Sequence, residues 1–173
     1  GSAIYTAEVP KAYAQEAGQP EADTGSFTYR TLDDGTIEIS RYSGSDTDLV
    51  IPAKIDGKSV SSISFFDKTE LYSHLSTSVK NVVIPDGVTR IDSSAFEECR
   101  QLESITIPDS VTEMGIRAFN GCSSLTAIAL PEGITEISEY FFEDCISLKS
   151  VSLPKSVTTI GPNAFSNCSS LEQ

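Results

Sequence analysis

The sequence has no tryptophan, one histidine (His74) and one methionine (Met114). A lone histidine leaves no basis for a histidine-centred catalytic set, and without a Cys-x-x-Cys pair it leaves none for a zinc site. No serine sits in a nucleophile elbow, and no pair of carboxylates stands in an acid–base motif. Positive charge is scarce: 12 Lys and Arg stand against 25 Asp and Glu, a net charge of −13. That balance speaks against nucleic acid, which is bound by clustered Lys and Arg. It speaks equally against docking on an anionic membrane surface. The plain reading of the acidity is solubility. No apolar run reaches the roughly 18 residues of a transmembrane helix, so no membrane insertion is expected. Catalysis and cofactor binding therefore find no support, and a binding or structural role is left.

What the sequence does have is repetition. The stretch LESITIPDSVTEMGIRAFNGCSS, residues 102–124, is written with variation four times in succession. Copies begin at Val79, Leu102, Leu125 and Leu148, and a fifth start appears at Leu171, each 23 residues after the last. An uninterrupted period of this length means one structural unit stacked on itself. Within a unit, Ile105 and Ile107 alternate with polar residues, which marks a short strand with one buried face. Pro108 ends it, as do Pro85, Pro131 and Pro154 in the other copies, because proline donates nothing to a ladder. Val111 and Met114 predict a second, shorter extended segment. The Ala-Phe-x-x-Cys spacing then suits a single helical or 3₁₀ turn with its apolar side inward. One coil buries too little to offset the entropy of ordering it, so contacts between coils must decide stability. Phe96, Phe119, Phe142 and Phe165 should stack, and an in-register parallel ladder should run through Ile105 and Ile128.

The rest of the chain is less regular. Residues 1–26 are rich in Ala, Glu, Gln, Pro and Gly and read as a flexible leader or tether. In residues 27–45, the Asp33-Asp34-Gly35 turn between two alternating runs predicts a β-hairpin that covers the first coil. Residues 46–78 hold an irregular first repeat with one excess around Ile55-Asp56-Gly57-Lys58 and another within FFDKTELYSHLSTS. Residues 79–170 are the four regular repeats, and 171–173 begin a further one without a cap. An open last coil predicts an edge that pairs with another molecule, self-association included, or frays.

The repeats resemble the BspA-like leucine-rich repeats of bacterial cell-surface proteins. That pattern reads Leu-x-x-Ile-x-Ile-Pro-x-x-Val-Thr-x-Ile-Gly-x-x-Ala-Phe-x-x-Cys-x-x, and residues 79–171 follow it closely. Residues 27–63, with DLVIPAKIDGKSV, are similar to the family's N-terminal lead-in. Gly115 and Gly161 match the family glycine; Asp92 and Ser138 replace it, and Phe141 replaces the small alanine. The resemblance implies a leucine-rich-repeat right-handed solenoid with parallel strands on a concave face. It implies a secreted or cell-surface-attached bacterial protein that binds other proteins or host surface components, with no enzymatic activity in its repeats. A passive spacer that presents another domain is the rival reading.

Four cysteines, Cys99, Cys122, Cys145 and Cys168, recur at the repeat period. Stacked coils about 4.8 Å apart fall within the roughly 4.4–6.8 Å Cα separation of a disulfide. Side chains that run parallel suit the disulfide torsion poorly, so buried free thiols are the preferred reading over pairing. Asp33-Asp34-Gly35 and Asp46-Thr47-Asp48 lack the ligand spacing of a calcium loop and read as turns. Two candidate contact regions remain. One is the outward strand positions, with Asn81, Ser104, Thr106, Ser150 and Ser152, which are small and uncharged. The other is the irregular insert at 65–78, with Phe66, Tyr72 and His74, free of the repeat's packing constraints.

Overall fold

The computed structural model describes residues 24–65 and 78–172. The chain is a β-solenoid, and each regular repeat makes one coil. Strand β1 (Phe27–Thr31) pairs antiparallel with β2 (Ile37–Tyr42) across the Asp33-Asp34-Gly35 turn. Gly35 takes φ +84°, which a side chain would resist. Strand β3 is Asp48–Val50. The excess residues that follow it fold into a second hairpin, β4 (Lys54–Ile55) against β5 (Lys58–Ile63), turning at Asp56 and Gly57 with positive φ. Both hairpins come from Asx-Gly turns; the first is the hairpin expected at Asp33-Asp34-Gly35, whereas the excess around Asp56-Gly57, expected as a bulge, pairs into a hairpin of its own.

Each regular coil contributes one three-residue and one two-residue strand. These are β6 (Asn81–Val83) and β7 (Arg90–Ile91), then β8 (Ser104–Thr106) and β9 (Glu113–Met114). The next two coils give β10 (Ala127–Ala129) and β11 (Glu136–Ile137), then β12 (Ser150–Ser152) and β13 (Thr159–Ile160). Parallel ladders join β3-β6-β8 on one face and β2-β5-β7-β9 on the other. The hairpin β1-β2 thus extends the second ladder at its N-terminal edge.

The third side of the coil is not helical. Between residues 79 and 172 no residue is in a helix; the Ala-Phe-x-x-Cys segments are tight turns. Two positions per coil take a left-handed backbone: Ser94, Arg117, Tyr140 and Asn163 at one, and Glu98, Gly121, Asp144 and Asn167 at the other. The consequence is an alternation of donors. Amides of Ala95, Glu97 and Cys99 bond three residues back in their own coil, while those of Ser94, Phe96 and Glu98 bond Ile116, Ala118 and Asn120 of the next. A helix would have turned every amide inward upon its own coil. The left-handed residues turn half of them outward, and so make a third inter-coil ladder.

The core is a set of columns. The rings of Phe96, Phe119, Phe142 and Phe165 stack with centroids 5.4, 5.9 and 5.5 Å apart. Phe65 adds an edge-on contact below, 5.7 Å from Phe96. The predicted phenylalanine stack is present.

The predicted ladder through Ile105 and Ile128 is not. β8 and β10 belong to separate sheets, and so do β9 and β11. Both strand ladders stop between the coil at 102–124 and the coil at 125–147, and resume as β10-β12 and β11-β13. Of the three backbone ladders, the turn ladder is the one that crosses this interface among the described residues, through Arg117, Phe119 and Gly121 onto Glu139, Phe141 and Glu143. Two departures from the repeat fall at the break. Phe141 puts a full ring where Ala95, Ala118 and Ala164 have a methyl; it is wholly buried, 5.6 Å from Phe119 and 4.7 Å from Phe142. Ser138 stands where close coils need glycine. A Cβ on Gly115 would meet the Ser93 nitrogen at 2.3 Å, and one on Gly161 the Glu139 nitrogen at 2.7 Å. At Ser138, which carries a Cβ, β9 and β11 do not pair. Asp92 also carries a Cβ at this position, and there β7 still pairs with β5.

Candidate functional site

The first strand face carries the small uncharged strip. Register places Asn81 beside Ser104 and Val83 beside Thr106, then Ala127 beside Ser150 and Ala129 beside Ser152. Asn81, Ser104 and Thr106 thus come together on one side of the ladder break, and Ser150 and Ser152 on the other. Asn81 Nδ2 donates to Asp48 Oδ1 at 2.7 Å, and the Ser104 hydroxyl donates to Asn81 Oδ1 at 2.6 Å. This chain stops at Ala127, whose methyl offers nothing. One coil on, the Ser150 hydroxyl is buried without a hydrogen-bond partner. Phe66, Tyr72 and His74 lie outside the described residues.

The second strand face holds a feature that the sequence reading did not single out. Where β9 and β11 fail to pair, a cleft of about 360 Å³ opens over β7, β9 and β11. Its wall includes Arg90, Asp92, Thr112, Glu113, Glu136 and Ser138. At the interfaces on either side, Thr112 N donates to Thr89 O at 3.0 Å and Thr158 N to Thr135 O at 2.9 Å. No such bond links Thr135 to Thr112 among the described residues. Instead the Ser138 hydroxyl reaches Met114 O at 3.1 Å, taking the place of an amide. Glycine amides make that contact elsewhere: Gly115 N to Ile91 O at 3.0 Å and Gly161 N to Ile137 O at 2.7 Å. Arg90 lies 3.2 Å from Asp92 and 3.9 Å from Glu113. Glu136, the next residue in this column, is exposed and forms no ion pair among the described residues. The signal for this site was the pair of departures at Ser138 and Phe141.

The cysteine column is structural. All four thiols are free. Cys122 Sγ donates to Phe96 O at 3.2 Å, Cys145 Sγ to Phe119 O at 3.1 Å, and Cys168 Sγ to Phe142 O at 3.1 Å. Each clips its coil to the carbonyl of the phenylalanine one coil earlier. Burial pushes all four thiols up from their ordinary range, Cys145 to about 12. Thiols held protonated in this way are poor nucleophiles and poor metal ligands. Among the described residues, no three His, Cys, Asp or Glu side chains group to hold a metal ion. No described helix is long and apolar enough to cross a membrane.

A family model described as the BspA type leucine rich repeat region, with 6 copies, matches residues 58–173. The chain belongs to the BspA-type leucine-rich-repeat family. The match begins at β5, inside the irregular first repeat. Among solved structures, a leucine rich cell surface protein from Faecalibacterium prausnitzii A2-165 is 29% identical with a TM-score of 0.60. That alignment covers 86% of this chain and 52% of the other, so this chain spans about half the length of that relative. The T. pallidum leucine rich repeat protein is 25% identical with a TM-score of 0.52, covering 89% of this chain and 92% of that one. A leucine-rich repeat protein from Bacteroides ovatus shares the fold at 24% identity and a TM-score of 0.54, over 73% of this chain and 36% of that one. A search of curated proteins finds no match. Leucine-rich repeats generally mediate protein–protein interaction.

Proposed function

We propose that this BspA-type chain is a non-catalytic protein-interaction and adhesion module of a secreted or cell-surface bacterial protein. The observation that carries this reading is the strip on the first strand face. Stacked strands place Asn81, Ser104 and Thr106 in register on one side of the ladder break and Ser150 and Ser152, the former with its hydroxyl buried, on the other, small and polar on a scaffold tied by inter-coil ladders. Such a surface admits close approach by a flat protein partner, and the likeness to a cell surface protein supports an external location. The insert residues Phe66, Tyr72 and His74 supply the bulkier contacts that the strip lacks, since aromatic side chains dominate binding hot spots.

The rival reading, a passive spacer, rests on the same strip: it holds no Trp, Tyr or Arg. The experiment uses the chain immobilised on beads and challenged with surface proteins of host cells. The module captures a defined partner, and Thr106→Arg with Ser152→Arg, or alanine at Tyr72 and His74, abolishes capture. A spacer recovers nothing above the blank beads.

A further inference from the structure

We propose that the open seam between β9 and β11 is the place where this module takes a partner, and that the group it takes is an extended peptide segment bearing a lysine or arginine side chain. The inference rests on the interaction-module reading and names its site and ligand chemistry.

Three observations converge on the seam. The first is shape. Its roughly 360 Å³ falls in the lower part of the about 300–1,000 Å³ range of ligand pockets. The second is unspent main chain. In every parallel pair of this face except this one, amides of one coil bond carbonyls of the coil before it. Here the Thr112 carbonyl and the Thr135 and Glu136 amides, the groups used for that purpose in the flanking coils, do not join. Unpaired strand edges are the usual template for an added extended segment. The third is charge. The cleft is lined by three carboxylates, Asp92, Glu113 and Glu136, against one guanidinium, Arg90. Arg90 lies against Asp92 and Glu113. Glu136, exposed on the opposite edge of the seam, forms no ion pair among the described residues, so its carboxylate is available to a cation from outside.

The two residues that open the seam are departures from a repeat that otherwise closes. Phe141 buries a ring that widens the core, and Ser138 replaces the glycine on which close stacking depends. A single coil pair thereby lacks its strand ladders, bridged on this face by the Ser138 hydroxyl to Met114 O at 3.1 Å and backed by the turn ladder and the stacked rings of Phe119 and Phe142.

The test pans a phage-displayed library of random linear peptides against the whole chain. The expected result is enrichment of sequences with a Lys or Arg flanked by β-branched residues. Their binding falls by about tenfold or more on Glu136→Gln, as expected for loss of a charge-assisted contact. It is lost on Ser138→Gly, which lets the coils close as they do at Gly115 and Gly161. Circular dichroism checks that each variant is folded. Ser138→Gly follows the repeat, so it is the variant that keeps the test valid should Glu136→Gln lose structure. Enriched peptides without a basic residue, or ones that bind Ser138→Gly as well as the parent, overturn the seam site while leaving the interaction-module reading intact. No enrichment at all also overturns it. The bead capture described above, read separately through Thr106 and Ser152, then judges the module reading by itself.

Discussion

Ala127 lies beside Ser150 in the parallel pair of β10 and β12, and its methyl leaves the Ser150 hydroxyl buried with no partner. Two coils earlier the same column is occupied by Asn81 and Ser104, which bond each other and Asp48. One missing oxygen thus separates a satisfied polar row from an orphaned one. Ala127→Ser should supply it and raise stability. A buried unpaired hydroxyl costs about 1–3 kcal/mol, so the gain is of that order or somewhat less. Ser150→Ala should be neutral or stabilising for the same reason, against the usual direction of core substitutions. Urea midpoints of the two variants measure this, and a lower midpoint for both contradicts it.

Gly115 and Ser138 occupy one repeat position with opposite consequences. Gly115→Ala drives a Cβ to 2.3 Å from the Ser93 nitrogen, a backbone atom that gives way only if the coil moves. Overpacking of this kind costs about 1–3 kcal/mol. It should also part β7 from β9, reproducing the natural seam one coil early. Ser138→Gly should do the reverse. Amide hydrogen exchange reads both: the Thr112 and Glu113 amides lose protection in the first variant, and the Thr135 and Glu136 amides gain it in the second.

These two residues also mark how far the sequence could be read. The 23-residue period dictated the coil, the phenylalanine column and the stacking of the thiols, because identical units superpose only one way. The glycine-to-serine change at Ser138 and the ring at Phe141 were both visible as departures. Their joint effect was not, because it depends on how close the coils come, and that distance is set in three dimensions by the flanking pairs. The Ala-Phe-x-x-Cys segment, read as a helical or 3₁₀ turn, is instead a run of tight turns for a related reason. Its spacing fits a helix equally well; the left-handed backbone at Arg117 and Tyr140 is chosen by the hydrogen bonds it frees for the neighbouring coil. The Ser150 orphan follows from register with Ala127, which 23-residue spacing alone could have exposed.

Phe119 should be the most costly aromatic to remove. It stacks on Phe96 and Phe142 and also meets Phe141, all with centroids between 5.4 and 5.9 Å. Phe119→Ala should cost about 3–5 kcal/mol, the range for a buried ring. Phe141→Ala should cost clearly less, because alanine already serves at Ala95, Ala118 and Ala164 and the coils can settle toward each other. Equal losses for the two in chemical denaturation contradict the wedge account of the seam.

The thiol column makes stability depend on alkali. Burial raises Cys145 from 9.0 to about 12, and raises Cys99, Cys122 and Cys168 in the same direction. A thiol that holds its proton more tightly when folded binds more protons in the native than in the unfolded state at high pH. The slope of stability with pH is then negative. Below pH 9 the contribution is fully present; between 9.0 and about 12 it is lost as unfolded thiols ionise and folded ones resist. Midpoints from pH 7 to 11 should therefore stay level and then fall, and replacing Cys122 and Cys145 by alanine should flatten the fall while lowering the plateau through loss of the two Sγ-to-carbonyl bonds. Cys168, half-buried where the other three are enclosed, should be the first to react with a thiol reagent. Mass spectrometry of timed alkylation at pH 8 gives the order, and labelling of Cys122 ahead of Cys168 contradicts the enclosed column.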